Sequence, residues 1–236
     1  MRFAYLIEPP FNYVDPVGRV TGCDVELARY VFSQLGIAEI EPVQTEFAEL
    51  LPGLGDGRWR MTTGLFGTDE RRQSALFSRP IWALPDGLLV QTGNPLGLCG
   101  YQSVADNAHV RLAVIRDQFQ HRTAIAFGVG MDRIVIYKTY TQAAQAVRDG
   151  TVDAYASVGR AHSGFIAQNP DWGLDVVMVP NSEKPSAFGS FAFALKDTKL
   201  VNEVDEILSS FLGTNDHRKM VAAFGFSSDE VDLVMA

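Results

Sequence analysis

The stretch LIEPPFNYVD, residues 6–15, places a carboxylate at Glu8 and a ring at Phe11, three residues apart, directly after an apolar run. An acid beside aromatic faces suits a small delocalised cation, through charge pairing and the ring quadrupole. The same residues also describe a plain turn, with Pro9 and Pro10 stiffening the backbone, Phe11 in the core and Glu8 in water. A second group lies in GLFGTDERRQSALFSRP, residues 64–80, where Phe66 precedes a turn and Arg71 and Arg72 are adjacent. Thr68 is suited to cap a helix there, which would put both arginines in its first turn. Cations are unfavourable at a helix N-terminus, so on this view at least one arginine has an anion to hold. A guanidinium fork grips a carboxylate through two parallel charge-assisted bonds, although a surface pair or a structural salt bridge would use the same residues. An acid, an arginine and aromatic faces together make a receptor for a zwitterion.

Other chemistry is missing. No G-x-G-x-x-G follows a strand, and no G-x-x-x-x-G-K-S/T, H-E-x-x-H, C-x-x-C or G-x-S-x-G occurs. His109, His121, His162 and His217 are scattered and polar-flanked, as exposed histidines are. Cys23 and Cys99 are far apart without metal-ligand spacing and read as two reduced or buried thiols, a disulfide being the alternative. No catalytic residue, metal site or cofactor is assigned, and this weighs toward a binding protein.

The elements that would position these residues alternate between short apolar strands and helical runs, the pattern of an α/β fold. RFAYLI reads as a strand, and DVELARYVFSQLG puts Val25, Leu27, Ala28, Val31, Phe32 and Leu35 on one helix side, stopped by Gly36. IEPVQT, AELLPGLGDG and RMTTG continue as strand, helix and strand. QTGNPLGLCG suits a crossover, after which RLAVI opens a fresh series: helix HRTAIAFG, strand RIVIYK, helix TQAAQAVRDG, strand VDAYAS and helix HSGFIAQN. LDVVMV, the loop PNSEKPSAFG, the strand SFAFAL and helices VNEVDEILSSFLG and DHRKMVAAFG complete the chain. Two α/β lobes fit this order, with a single continuous sheet as the rival. Two lobes would offer a cleft, where ligand sites favour forming.

Length and charge bound the rest. The 236 residues are 47% hydrophobic, enough for one large core or two small ones. A formal charge of -8 with no long basic run makes nucleic acid or an anionic membrane a poor partner. No stretch reaches the roughly 18 apolar residues that span a bilayer. The N-terminus reaches its E-P-P turn before it could form a secretory apolar segment, which fits either a cytoplasmic protein or the start of a mature chain.

Taken in order, EPPFNYVD, TGCDVELA, ELLPGLGDGR, TDERRQSALFSRP, DGTVDAYAS and FGSFAFAL cover nearly the whole chain. This set resembles the periplasmic solute-binding proteins of bacterial ABC importers, in the family that captures polar amino acids, and within it the ectoine and hydroxyectoine binders. The resemblance implies a bilobal type II periplasmic-binding-protein-like fold with a two-stranded hinge, lobe 1 from residues 1–89 and 190–236 and lobe 2 from 90–189. It implies a periplasmic monomer that closes on a small zwitterionic solute and delivers it to an ABC permease. Arg71 would hold the carboxylate, Glu8 would pair with the cationic ring nitrogens, and Phe11, Phe47 and Phe66 would form an aromatic cage. Gln118 and Ser157 would contribute from lobe 2. The sequence departs from ordinary amino-acid binders at Glu8, where they carry an aromatic, near Val158, where they carry an aspartate for the α-ammonium, and at Asp117–Gln118, where the family has Gly-Thr. A polar amino acid or an opine is the alternative ligand, and a dehydratase-type enzyme or a sensor module the alternative class.

Overall fold

The structure is a computed structural model that describes residues 1–235. The chain divides into two compact units, Met1–Ala83 with Phe188–Ala236 and Leu84–Ala187. Each unit has its own five-stranded sheet, so the single continuous sheet is excluded.

In the first unit the strands lie in the order Glu41–Gln44, Arg2–Tyr5, Met61–Thr62, Ala192–Ala194, Ala75–Phe77. The first three run parallel, with Ala4 opposite Val43 and Thr62, and the returning strand Ala192–Ala194 runs antiparallel to its neighbours. Ala4, Leu50, Leu54, Trp59 and Ala192 pack together on one side. The Trp59 indole N–H donates to the Leu50 carbonyl at 2.9 Å, and a Cβ on Gly53 would stand only 2.0 Å from the indole ring. The helix Cys23–Gln34 buries Val25, Leu27, Ala28, Val31 and Phe32, as its spacing predicts, and its Tyr30 stacks on Phe211 of the helix Thr198–Phe211.

In the second unit the order is Ile134–Tyr137, Leu112–Ile115, Ala154–Val158, Asp86–Gln91, Leu174–Met178. The first three strands are parallel, and Asp86–Gln91 runs antiparallel between Ala154–Val158 and Leu174–Met178. Leu88, Val90, Leu112, Val114, Ala154 and Ala156 form the centre of its core.

Several expectations need correction. The segment TDERR makes only a three-residue 3-10 turn, Arg71–Gln73, so no helix dipole acts on the arginines. FGSFAFAL breaks at Phe191 into two strands of different sheets, Ala187–Ser190 and Ala192–Ala194. Helices Tyr101–Asp106 and Ser228–Met235 are additional. The histidines also divide. His109 is exposed and His121 half-buried, but His162 and His217 are buried because each faces inward from a helix that packs on its unit.

The His162 Nε2–H donates to the Gly87 carbonyl at 3.1 Å, so its Nδ1 accepts from the Tyr140 hydroxyl at 2.6 Å and the ring is neutral. Burial pushes its pKa down to about 3. The unfolded chain therefore takes up a proton near pH 6.5 that the folded chain refuses, and stability falls as pH drops from about 6.5 toward 3. We predict a melting temperature that declines across that window, with a slope of at most about 1.4 kcal/mol per pH unit from this residue. In His162→Gln, less stable at pH 7, the profile should be flatter, and an equally steep profile in pH-dependent thermal melts would count against this assignment.

Candidate functional site

The first-unit residues of interest follow the carboxyl ends of its three parallel strands, where open α/β sheets gather ligands. Glu8 follows Arg2–Tyr5, Phe47 follows Glu41–Gln44, and Phe66 follows Met61–Thr62. The turn Glu8–Asn12 is closed by backbone bonds between its end residues, at 2.9 Å and 3.1 Å, around a cis Pro9–Pro10 bond. Its carbonyls then do a second task. Pro10 and Phe11 accept from the backbone N–H groups of Cys23 and Asp24 at 3.0 Å and 3.1 Å, satisfying the start of a helix that has no side-chain cap. Gly22 is required at this contact, because with φ of 129° a Cβ would lie 2.1 Å from the Phe11 carbonyl oxygen. The E-P-P-F stretch is thus both a structural turn and the support of Glu8 and Phe11.

Arg71 is half-buried. Its Nη1 donates to the Phe66 carbonyl at 2.9 Å and its guanidinium stands 5.1 Å from the centroid of the half-buried Phe47 ring. Arg71, Phe47 and Phe66 are therefore brought together. Thr68 accepts from the Arg71 backbone N–H at 3.3 Å, so the capping hydroxyl acts on one turn rather than on a helix. Arg72 instead donates to the Gly67 carbonyl and lies over Phe77. Phe11 and Phe66, both buried, meet the same indole: Trp82 lies 5.2 Å from Phe11 and 5.7 Å from Phe66, the latter edge-to-face.

Trp82 belongs to a network not anticipated from the sequence. Asp24, 1% exposed, accepts from the Thr63 hydroxyl at 2.6 Å, the Gly64 N–H at 2.8 Å and the Trp82 indole N–H at 3.2 Å. The buried Asn12 amide donates to Thr63 Oγ1 at 2.6 Å, joining the Glu8 turn to the same carboxylate. Burial raises the Asp24 pKa, against the lowering effect of these donors. The only sequence trace was an acid in the first turn of a helix, which ordinarily marks a favourable dipole contact rather than a hub.

In the second unit Gln118 precedes the helix Phe119–Ala126, 7% exposed, and its Oε1 is buried without a hydrogen-bond partner among the described residues. Asp117 has φ of 64° and an exposed position. Ser157 is 1% exposed in its strand, opposite Gly87. Nearby in sequence to Gln118, Gln120 donates to the fully buried Asp86, which also accepts from the Tyr101 hydroxyl at 2.7 Å and pairs with Lys184 at 3.2 Å. Cys23 is buried and Cys99 exposed, and neither is in a disulfide.

Residues 1–225 match the family model described as bacterial extracellular solute-binding proteins, family 3. The chain is similar to the "Probable amino-acid ABC transporter periplasmic-binding protein y4tE" of Sinorhizobium fredii (strain NBRC 101917 / NGR234), 28% identical over 233 residues, 96% of this chain and 77% of that one. It is similar to the crystal structure of EhuB in complex with hydroxyectoine, with a TM-score of 0.88 and 27% identity over 98% of this chain and 90% of that one. An ancestral arginine-binding protein bound to glutamine shares the fold, at a TM-score of 0.83 and 20% identity over 94% of this chain and 96% of that one.

The Asp24 network yields its own prediction. In Asp24→Asn one acceptor oxygen becomes a donor facing other donors, and the loss should be about 1–3 kcal/mol of unfolding free energy with faster exchange of the Gly64 amide proton. Urea unfolding coupled to amide exchange checks this, and a variant as stable as the parent would contradict it.

Proposed function

The chain belongs to family 3 of the bacterial extracellular solute-binding proteins, and from that premise we propose that it captures ectoine, hydroxyectoine or a closely similar cationic carboxylate. At the coarser level the function is that of the family: a non-catalytic, periplasmic protein that binds a small polar solute for an ABC permease. The observation that carries the finer reading is the grouping of Arg71, Phe47 and Phe66 at the strand ends that also lead to Glu8. The arginine offers a fork to a carboxylate, the rings offer faces to a flat cationic ring, and Glu8 offers the opposite charge. The likeness to EhuB, whose structure is in complex with hydroxyectoine, supports the same choice.

Partial burial of Arg71 makes its pairing worthwhile, since a guanidinium screened from water loses hydration that a ligand carboxylate restores. The Phe47 contact and the Phe66 carbonyl orient the fork before the solute arrives. Phe11 is packed on Trp82 and Phe226, so we assign it the fixed wall of the site rather than a mobile flap. Gln118 and Ser157 are proposed as further binding residues, the buried Gln118 oxygen suiting a solute N–H or hydroxyl donor. The protein is proposed to act as a monomer. A polar amino acid or opine remains the competing solute because the y4tE relative is named for amino-acid transport.

A thermal-shift screen of ectoine, hydroxyectoine, glycine betaine, opines and the standard amino acids separates these. We expect the ectoines to raise the melting temperature, and a shift with amino acids alone would replace the solute while keeping the class. Arg71→Ala should bind at least about 100-fold more weakly by calorimetry, the loss of a charge-assisted fork, with its melting temperature little changed. Glu8→Gln should erode the preference for ectoine over a neutral carboxylate, and an unchanged preference would remove Glu8 from the site.

A further inference from the structure

The family match ends at residue 225, and the next residues are built into the wall that carries Phe11. The Phe226 N–H donates to the Val221 carbonyl at 3.2 Å, turning the chain off the end of the helix Asn215–Ala222. Ser227 then opens the helix Ser228–Met235 with a reciprocal cap: the Glu230 carboxylate accepts from the Ser227 N–H at 2.7 Å, and Ser227 Oγ accepts from the Glu230 N–H at 3.2 Å. Arg218 holds this helix from the preceding one, pairing with Asp232 and donating to the Ser228 carbonyl. So held, Phe226 is 8% exposed and sets its ring edge-to-face on Phe11, centroids 5.9 Å apart at 77°. Phe11 lies in turn on Trp82, and Trp82 meets both Phe66 and Asp24. Phe226 and Glu230 also line a small, mostly apolar cavity with Asp24, Trp82 and His217.

We propose that Phe226 is a positioning residue for solute binding, bracing Phe11 so that Phe11 and, through Trp82, Phe66 hold the ring faces that receive the solute. The proposal rests on the solute reading above. A ring with Trp82 on one side and Phe226 on another has few rotamers open to it, and a wall ordered in advance spares the solute the cost of ordering it. Neither residue of the Phe226–Phe11 pair needs to change charge or move for this to operate. The segment beyond the family match is then part of the binding machinery and not an inert extension.

The test uses the full chain and two variants, Phe226→Ala and Phe226→Tyr, with ectoine as the probe. Calorimetry should show ectoine affinity about tenfold weaker for Phe226→Ala, the scale of one lost aromatic pair, and within about twofold of the parent for Phe226→Tyr, which keeps the ring. The second readout needs no solute: the indole N–H signal of Trp82 in the ligand-free protein should shift in Phe226→Ala and stay in place in Phe226→Tyr. A Phe226→Ala protein of lower melting temperature but parental affinity would overturn the proposal, because the ring would then be ordinary core. Should the parent itself fail to bind ectoine, the solute reading falls, and the Trp82 signal alone decides the bracing: shifted in Phe226→Ala it stands, unshifted it falls.

Discussion

The first unit depends on one buried carboxylate. Asp24 gathers the hydroxyl of Thr63, the N–H of Gly64 and the indole of Trp82, and through Thr63 it reaches Asn12 in the Glu8 turn. Three segments distant in sequence, at Asn12, Thr63–Gly64 and Trp82, are thereby tied to the first turn of one helix. A charge removed from water is costly unless its donors are in place, so the network is an all-or-none arrangement that specifies where the neighbouring backbone sits. Gly64 shows how tight it is: a Cβ there would stand 2.8 Å from the Trp82 indole nitrogen and 3.1 Å from an Asp24 oxygen.

From that hub the positions of the proposed binding residues follow as consequences of topology. Three parallel strands end side by side, and the turns after them carry Glu8, Phe47 and Phe66. Arg71, on the single turn after Phe66, folds back onto the Phe66 carbonyl and the Phe47 ring. The second unit repeats the logic with different chemistry. Gln118 follows its strand Leu112–Ile115, while Asp86, Tyr101, Gln120 and Lys184 form a satisfied buried cluster beneath. Charged groups that are buried and paired here serve architecture, whereas Arg71 keeps part of its surface exposed.

Much of the fold was legible because local signals agreed. The helix Cys23–Gln34 carried its apolar residues at helical spacing, and strands such as Leu112–Ile115 and Ala154–Val158 were short apolar runs between turn residues. What failed was decided by tertiary contact. TDERR has a capping residue and charges but no apolar periodicity to sustain a helix, and it stops after one 3-10 turn. His162 and His217 have polar neighbours in sequence, yet the period of their helices turns them inward. Within the candidate site, Glu8, Phe11, Phe66 and Arg71 were recognisable by residue type, but the contacts of Asp24, Trp82 and Phe226 were not. Their importance lies in partners between 16 and 215 residues away: Phe66, 16 from Trp82, and Phe11, 215 from Phe226. No spacing rule sees such pairs.

Arg71 is proposed to receive the carboxylate of a cationic solute whose ring lies among Phe11, Phe47 and Phe66. A crystal structure of the protein grown with hydroxyectoine tests it most directly. The solute carboxylate is expected to be hydrogen-bonded to the Arg71 guanidinium, with its ring nitrogens turned toward Glu8. A solute bound in the reverse sense, or seated away from Arg71 with the guanidinium still committed to Phe66 and Phe47, would contradict it.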